Sequence, residues 1–339
     1  MNKEVTARHA SANSPTQRPE TETNMSERTY GRSTVVTDDG TALSVYETGR
    51  RDAPLTVVFV HGHCLAKESW FDVRDQLRKT WADEVRMVFY DHRGHGSSAA
   101  ADASTYTIEQ LGRDLGAVIR AMVPTGRYVV IGHSMGGMTA MSYARQHLAE
   151  LGSRLVGVGL IASAANGIAE EGLGACLAHP VVSMFRTAVR RAPSAMAASK
   201  RLSRGICAPI VRAAGCGSRR VSPRVVALAS AMLNETSVVT MAGFLGSLHE
   251  FDESENLPAL AVVPTLVLCG SDDLMTPIRH SRVIADFLPA ARMVTVEKAG
   301  HMVILERAGE VADAVATLVA QADPASRRDG ARRVLEVAL

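Results

Sequence analysis

Ser134 stands at the centre of Gly132-His133-Ser134-Met135-Gly136, directly after the apolar run Tyr128-Val-Val-Ile131 and directly before a helical pattern. That placement carries the chemistry. A serine on so sharp a strand-to-helix turn is held in an unfavourable backbone conformation, with its hydroxyl pushed clear of the sheet. Glycines two residues before and after it let strand and helix pass without a clash. The helix that follows aims its positive end at the same point, where an oxyanion would develop. In a chain with 27 Gly, the five-residue pattern alone is a weak signal. Between a strand and a helix it reads as a nucleophile.

A serine hydroxyl attacks poorly at neutral pH, so a base and an orienting acid must come from elsewhere. For a nucleophile on such an elbow they follow in the order carboxylate, then histidine. Two later segments offer them. The run Val263–Cys269 reads as a buried strand, left by the loop Gly270-Ser-Asp272-Asp273-Leu-Met-Thr-Pro277. Arg292–Glu297 reads as the next strand, left by Lys298-Ala-Gly300-His301. Both loops then lie on the carboxyl edge of a parallel sheet, the edge Ser134 occupies and the one where such sheets bind ligands.

The elements that must hold these loops follow from periodicity. Strands are expected at 34–36, 43–47, 55–60, 85–90, 128–131, 155–161, 265–268 and 293–296. Helices are expected near 69–79, 108–122, 135–149, 279–287 and 302–321. Alternation of strand and helix after Leu55 implies a mostly parallel sheet of eight strands covered on both faces. Between Asn166 and Pro258 the strand rhythm stops. Val225, Leu228, Ala229 and Met232, then Met241, Phe244, Leu245 and Leu248, follow helical spacing instead.

With these motifs assembled, the chain resembles an α/β-hydrolase with a helical lid, of the esterase, cofactor-free haloperoxidase and lipase-like group of actinobacterial type. The residues that carry the resemblance are His61-Gly62-His63-Cys64-Leu65, Asp91-His92-Arg93-Gly94-His95-Gly96-Ser97-Ser98, the Ser134 elbow, Gly270–Pro277 and Ala299-Gly300-His301. They run from about residue 33 to 320 in the family's order. The resemblance implies Ser134 as nucleophile, His301 as general base and Asp273 as orienting acid, since the family's acid stands four residues before the loop proline. Asp272 is then a solvated or locally capping neighbour. It also implies an oxyanion hole made by the backbone N–H groups of His63 and Met135. His63 replaces the aromatic residue common at its position, and the loop carrying His92 and His95 forms one wall of the site. The expected organisation is a disordered tail over 1–30, a core over 31–165 and 259–321, a lid over 166–258 and a polar tail over 322–339.

The function that follows is cleavage of a carboxylic ester through an acyl-enzyme. A thioesterase or an acyltransferase would use the same three residues, and a non-catalytic receptor on this fold is a further alternative. An epoxide or haloalkane hydrolase would need a carboxylate in place of Ser134. No cofactor is implied, since no dinucleotide or Walker motif is present. The spacings His61-x-His63 and Asp91-His92…His95 invite a zinc reading, but no further carboxylate or histidine cluster completes a metallo-hydrolase set. The remaining histidines among the 11 read as ordinary surface or core residues.

Composition agrees with one large core: 339 residues, 46% hydrophobic, net charge +2. Five cysteines without a pairing pattern favour a reducing, cytoplasmic setting. No signal core or transmembrane run is visible, and either Met1 or Met25 can serve as the start. The sequence leaves the oligomeric state open. Between Gly172 and Asn234 lie ten basic residues (Arg186, Arg190, Arg191, Lys200, Arg201, Arg204, Arg212, Arg219, Arg220, Arg224) and no acidic one. They are either a solvated face or a field that attracts an anionic acyl substrate. No nucleic-acid reading module accompanies them.

Overall fold

The computed structural model describes residues 31–202 and 221–322. The two expected tails and part of the basic segment lie outside that description, apart from Ala322, which ends the last helix. Eight strands form one sheet: β1 (Gly31–Val36), β2 (Ala42–Thr48), β3 (Leu55–Val60), β4 (Val85–Tyr90), β5 (Arg127–His133), β6 (Leu155–Ile161), β7 (Thr265–Gly270) and β8 (Arg292–Val296). Their order across the sheet is β1-β2-β4-β3-β5-β6-β7-β8. Only β1 and β2 run antiparallel to their neighbours. The other five pairings are parallel.

Every residue of β3, β4, β6 and β7 is buried, as expected of strands covered on both faces. Alternate side chains serve two separate cores. Val58, Val60, Val88, Tyr90 and Val130 pack under α2 (Ile108–Met122) and α3 (Met135–Gln146). Val57, Phe59, Met87, Phe89 and Ile131 pack on the other face, under α1 (Phe71–Trp81) and the C-terminal helix. Phe59 stacks on Phe89 at 4.7 Å between ring centroids, across neighbouring strands.

After β6 the chain leaves the sheet and does not return until β7. The helices described within this excursion are α4 (Pro180–Arg191), α5 (Pro193–Leu202), α6 (Pro223–Glu235) and α7 (Val238–His249). The fold closes with α8 (Ile278–Phe287), the short α9 (Val303–Glu306) and α10 (Ala308–Ala322). Sequence periodicity suggested a single helix over 302–321, but the chain breaks at Arg307 (φ −138°, ψ 47°). Buried apolar positions continue on both sides of that break, so the pattern carries no trace of it. Among the described residues no single helix is long and apolar enough to cross a membrane; α6 and α7 reach the length together but bend by 96° between them.

The sheet's parallel register decides where the loops end. Val60 lies opposite both Tyr90 and Gly132, and Gly270 lies opposite Val296. The loops after β3, β4, β5, β7 and β8 therefore all open on one edge.

Candidate active site

Ser134 leaves β5 with φ 53° and ψ −120°, a left-handed conformation that a side-chain-bearing residue adopts only at a cost of about 1–3 kcal/mol. The glycines around it are there for contact. A Cβ on Gly132 would stand 2.2 Å from the Gly136 carbonyl oxygen, so no larger residue lets the helix pass the strand. The Ser134 Oγ lies 3.0 Å from His301 Nε2, and His301 Nδ1 lies 2.9 Å from Asp273 Oδ2. The loops after β5, β7 and β8 thus bring Ser134, His301 and Asp273 into one line.

Each member is held from behind. Asp273 Oδ1 accepts the N–H groups of Met275 (2.8 Å) and Thr276 (2.9 Å), and Oδ2 accepts the Thr276 hydroxyl (2.8 Å). Burial pushes the Asp273 pKa up, but His301 and the Thr276 bonds outweigh it and hold the carboxyl below the usual range. Asp272 is exposed; among the described residues its carboxylate takes only the Ser271 hydroxyl, and its N–H bonds the Ala299 carbonyl. The His133 ring donates through Nε2 to the His301 carbonyl at 2.8 Å, pinning the loop that carries His301. Burial, with His301 beside it, lowers the His133 pKa to about 3, so that ring stays neutral.

The turn after β3 lies against the elbow. A Cβ on Gly62 would meet His133 Nδ1 at 2.9 Å and Ser134 Cβ at 3.1 Å, so this close approach requires glycine. The N–H groups of His63 and Met135 have no hydrogen-bond partner among the described residues. His61 supports the same turn: Nδ1 donates to the Gly62 carbonyl (2.8 Å) and Nε2 accepts the His92 N–H (3.0 Å). Pinning that carbonyl fixes the peptide plane whose other end is the His63 N–H, because the two groups are antiparallel across a trans peptide.

His92 and His95 do not form a wall of the cavity. Both are buried behind the turn, where His92 Nε2 donates to the His61 carbonyl (2.9 Å) and His95 Nε2 accepts the Cys64 N–H (3.1 Å). Burial comes first in holding both imidazoles well below their ordinary pKa. Burial also lowers His63, to about 4, against a hydrogen bond to the Met241 backbone. Among the described residues no group of three or more His, Cys, Asp or Glu side chains is arranged to hold a metal ion.

Ser134 and His301 open into a cavity of about 400 Å³, walled by side chains such as Leu177, Phe185, Met241, Leu245 and Met302. Among the described residues that line it there is no carboxylate, Lys or Arg. A larger cleft of about 800 Å³ lies on the other side of α7, lined by Arg186, Arg190 and Glu109 among others; none of Ser134, Asp273 and His301 borders it. Of the other basic residues of the excursion, Arg224 pairs with Asp72 (2.8 Å), and Lys200 donates to the Leu233 carbonyl (2.9 Å) and to that of Thr236. The Arg201 side chain and Arg204, Arg212, Arg219 and Arg220 lie outside the described residues.

Sequence reasoning missed Thr276 and the bond made by His95. The spacing of Asp273 to a threonine three residues on was a usable signal for the first, since short polar side chains bond backbone and side chains at that distance. Nothing local marked the second.

Residues 56–308 match the model of the alpha/beta hydrolase fold family. The chain belongs to that family. Among curated relatives, this α/β-hydrolase is similar to a proline iminopeptidase of Lactobacillus crispatus (strain ST1), at 26% identity over 78% of this chain and 92% of the relative. It is likewise similar to the sn-1-specific diacylglycerol lipase ABHD11 of Mus musculus, at 27% identity over 79% and 82%. Among solved structures, a thermophilic esterase from Thermogutta terrifontis aligns at TM-score 0.67 and 25% identity, over 86% of this chain and 99% of that one. The enol-lactonase of Burkholderia xenovorans LB400 shares the fold at TM-score 0.68 and 24% identity, over 85% and 99%.

Proposed function

We propose that this α/β-hydrolase cleaves a carboxylic ester of an apolar, uncharged acyl group by way of an acyl-enzyme on Ser134. One observation carries the reading: the hydrogen-bonded line Ser134–His301–Asp273 ends at a cavity which, among the described residues, has no carboxylate, Lys or Arg in its lining and lies beside two backbone amides without a partner.

The chemistry follows from that line. Ser134 Oγ attacks the carbonyl carbon as His301 Nε2 accepts its proton, and Asp273 keeps the other imidazole nitrogen protonated and steadies the cation that forms. The amides of His63 and Met135 hold the negative charge that develops on the carbonyl oxygen. The bond to the alcohol oxygen breaks, and His301 returns the proton to it. Water then repeats the cycle on the acyl-enzyme and frees the acid.

The cavity argues for an ester over an aminoacyl amide. A peptidase that takes a free amino terminus needs an anion to receive the ammonium, and the described lining residues include none. Thioester cleavage and transfer to another alcohol would use the same residues. The test is a panel of p-nitrophenyl esters of graded chain length run beside aminoacyl p-nitroanilides. Esters of medium, unbranched acids should be turned over at least about tenfold faster than the anilides. Preference for the anilides would transfer the assignment to peptide chemistry.

A further inference from the structure

We propose that His95 is a positioning residue: by accepting the Cys64 N–H it holds the turn Gly62–Leu65, which carries the His63 amide beside the reacting carbonyl, in its observed form. The inference rests on the serine-hydrolase reading above and goes beyond the three residues in line.

The form of the turn follows from three facts. The Leu65 N–H bonds the Gly62 carbonyl at 3.2 Å, closing four residues. Cys64, third of the four, has φ +59°, while His63 is not among the residues with positive φ. That is the pattern of a type II turn, whose third position favours glycine. A cysteine there crowds its own backbone. Rotating the central peptide, between His63 and Cys64, by half a turn gives the type I form and returns Cys64 to an ordinary negative φ. Local sequence therefore favours the flipped turn, and a contact from elsewhere must oppose it.

That contact is made at one end of the central peptide, by the Cys64 N–H on His95 Nε2 at 3.1 Å. His95 is built for the task. Its Nδ1 donates to the Arg93 carbonyl at 3.0 Å, which leaves Nε2 as the acceptor. The ring is 1% exposed and packs on His61, His63 and Phe244 at 5.4, 5.7 and 5.7 Å. Burial, with His61 and His63 nearby, keeps it neutral. Its loop is fixed in turn, because Asp91 accepts the N–H groups of Lys67 (2.7 Å) and Ser97 (2.8 Å) while Arg93 is clamped by Asp114 and Asp39. In such dry surroundings, losing the acceptor leaves a buried N–H unpaired and adds to the drive for the peptide to flip. The flip would leave the direction of the Gly62–His63 peptide to His61, but it would carry the His63 carbonyl to the opposite face of the turn and change ψ of His63, displacing the residue that carries the amide. A donor in that place must lie within about 2.7–3.1 Å of the oxyanion.

The experiment compares His95→Phe, which keeps a ring but no acceptor, with His95→Gln, which restores an amide oxygen at nearly the same reach. On p-nitrophenyl hexanoate, H95F should lower kcat by about tenfold or more, part of the 10²–10³ attached to losing a whole oxyanion donor. KM should stay within about twofold, and affinity for an alkyl boronic acid, whose adduct on Ser134 occupies the same hole, should fall with kcat/KM. H95Q should keep most activity. Cys64→Gly removes the local preference for the flip and leaves only the unpaired N–H to drive it, so H95F introduced beside C64G should cost less than about threefold relative to C64G alone. If H95F does not fold, His95→Met repeats the comparison with a flexible side chain. Equal losses on both backgrounds, or H95Q as impaired as H95F, overturn the assignment. Fluorophosphonate labelling of the wild type keeps the two readings apart: an unlabelled Ser134 sinks the serine mechanism. The nitrogen NMR shifts of His95 test its tautomer without turnover, with Nδ1–H expected and an Nε2–H form contradicting the proposal.

Discussion

Two adjacent carboxylates part company through the backbone that carries them. Asp273 turns inward under His301 and accepts three hydrogen bonds besides, while Asp272 is exposed and its carboxylate, among the described residues, accepts only a neighbouring serine hydroxyl. Asp273→Asn should lower kcat by about three to four orders of magnitude, because an amide favours the wrong imidazole tautomer. Asp272→Asn should change it by less than about threefold, and steady-state kinetics of the two variants separates them. Stability carries its own signature. The Asp273 pKa sits below the ordinary 3.8 in the fold, so its ionised form stabilises the protein above that value. That contribution fades as pH falls through the lower, folded value. Acid unfolding monitored by circular dichroism should therefore be shallower over this range in Asp273→Asn. At this scale Ser134, Asp273 and His301 were legible, since each follows a recognisable strand in a fixed order. His95 was not, because its partner is an amide 31 positions away on the loop after another strand.

Among the elements, the strands spoke most clearly. β3, β4 and β6 have the bounds their apolar runs imply, because buried parallel strands are apolar throughout. β5 runs on through Gly132 and His133, which pair with Leu160 and Ile161; the expected strand ends at Ile131, where the apolar run gives way to the Gly132–Gly136 turn pattern. The order of strands in the sheet is a property of packing between distant segments and left no mark in any one of them. One buried ion pair holds the elements of the site together. Arg93, fully buried, joins the loop after β4 to α2 through Asp114 (2.6 Å) and to the β1–β2 turn through Asp39 (2.7 Å). Burial raises the Asp114 pKa, and Arg93 opposes that rise. Arg93→Met strands a buried carboxylate and should cost about 3–5 kcal/mol, read as a lower denaturant midpoint. Adding Asp114→Leu should return most of that loss, whereas an unchanged double variant would mean that the pair is not what fixes the loop.

For the molecule as a whole, the excursion between β6 and β7 supplies much of the cavity wall. Its charge was plain in the sequence, but the destinations of those charges were not: Arg224 and Lys200 are engaged, and Arg186 and Arg190 border a cleft that Ser134 does not reach. A cavity of about 400 Å³ whose described lining residues carry no charged side chain should discriminate by charge. A neutral hexanoate ester should exceed a monoester of adipate in kcat/KM by about 100-fold, since the site gives a buried carboxylate no partner. An adipate ester favoured at low salt only would restore a steering role for the basic face. The central claim, a covalent acyl-enzyme on one serine, is tested most directly by intact-protein mass spectrometry after exposure to a fluorophosphonate. One adduct per chain, mapped to Ser134 and missing from Ser134→Ala, is the predicted result. No adduct in the wild type, or labelling that survives in Ser134→Ala at the wild-type rate, would contradict it.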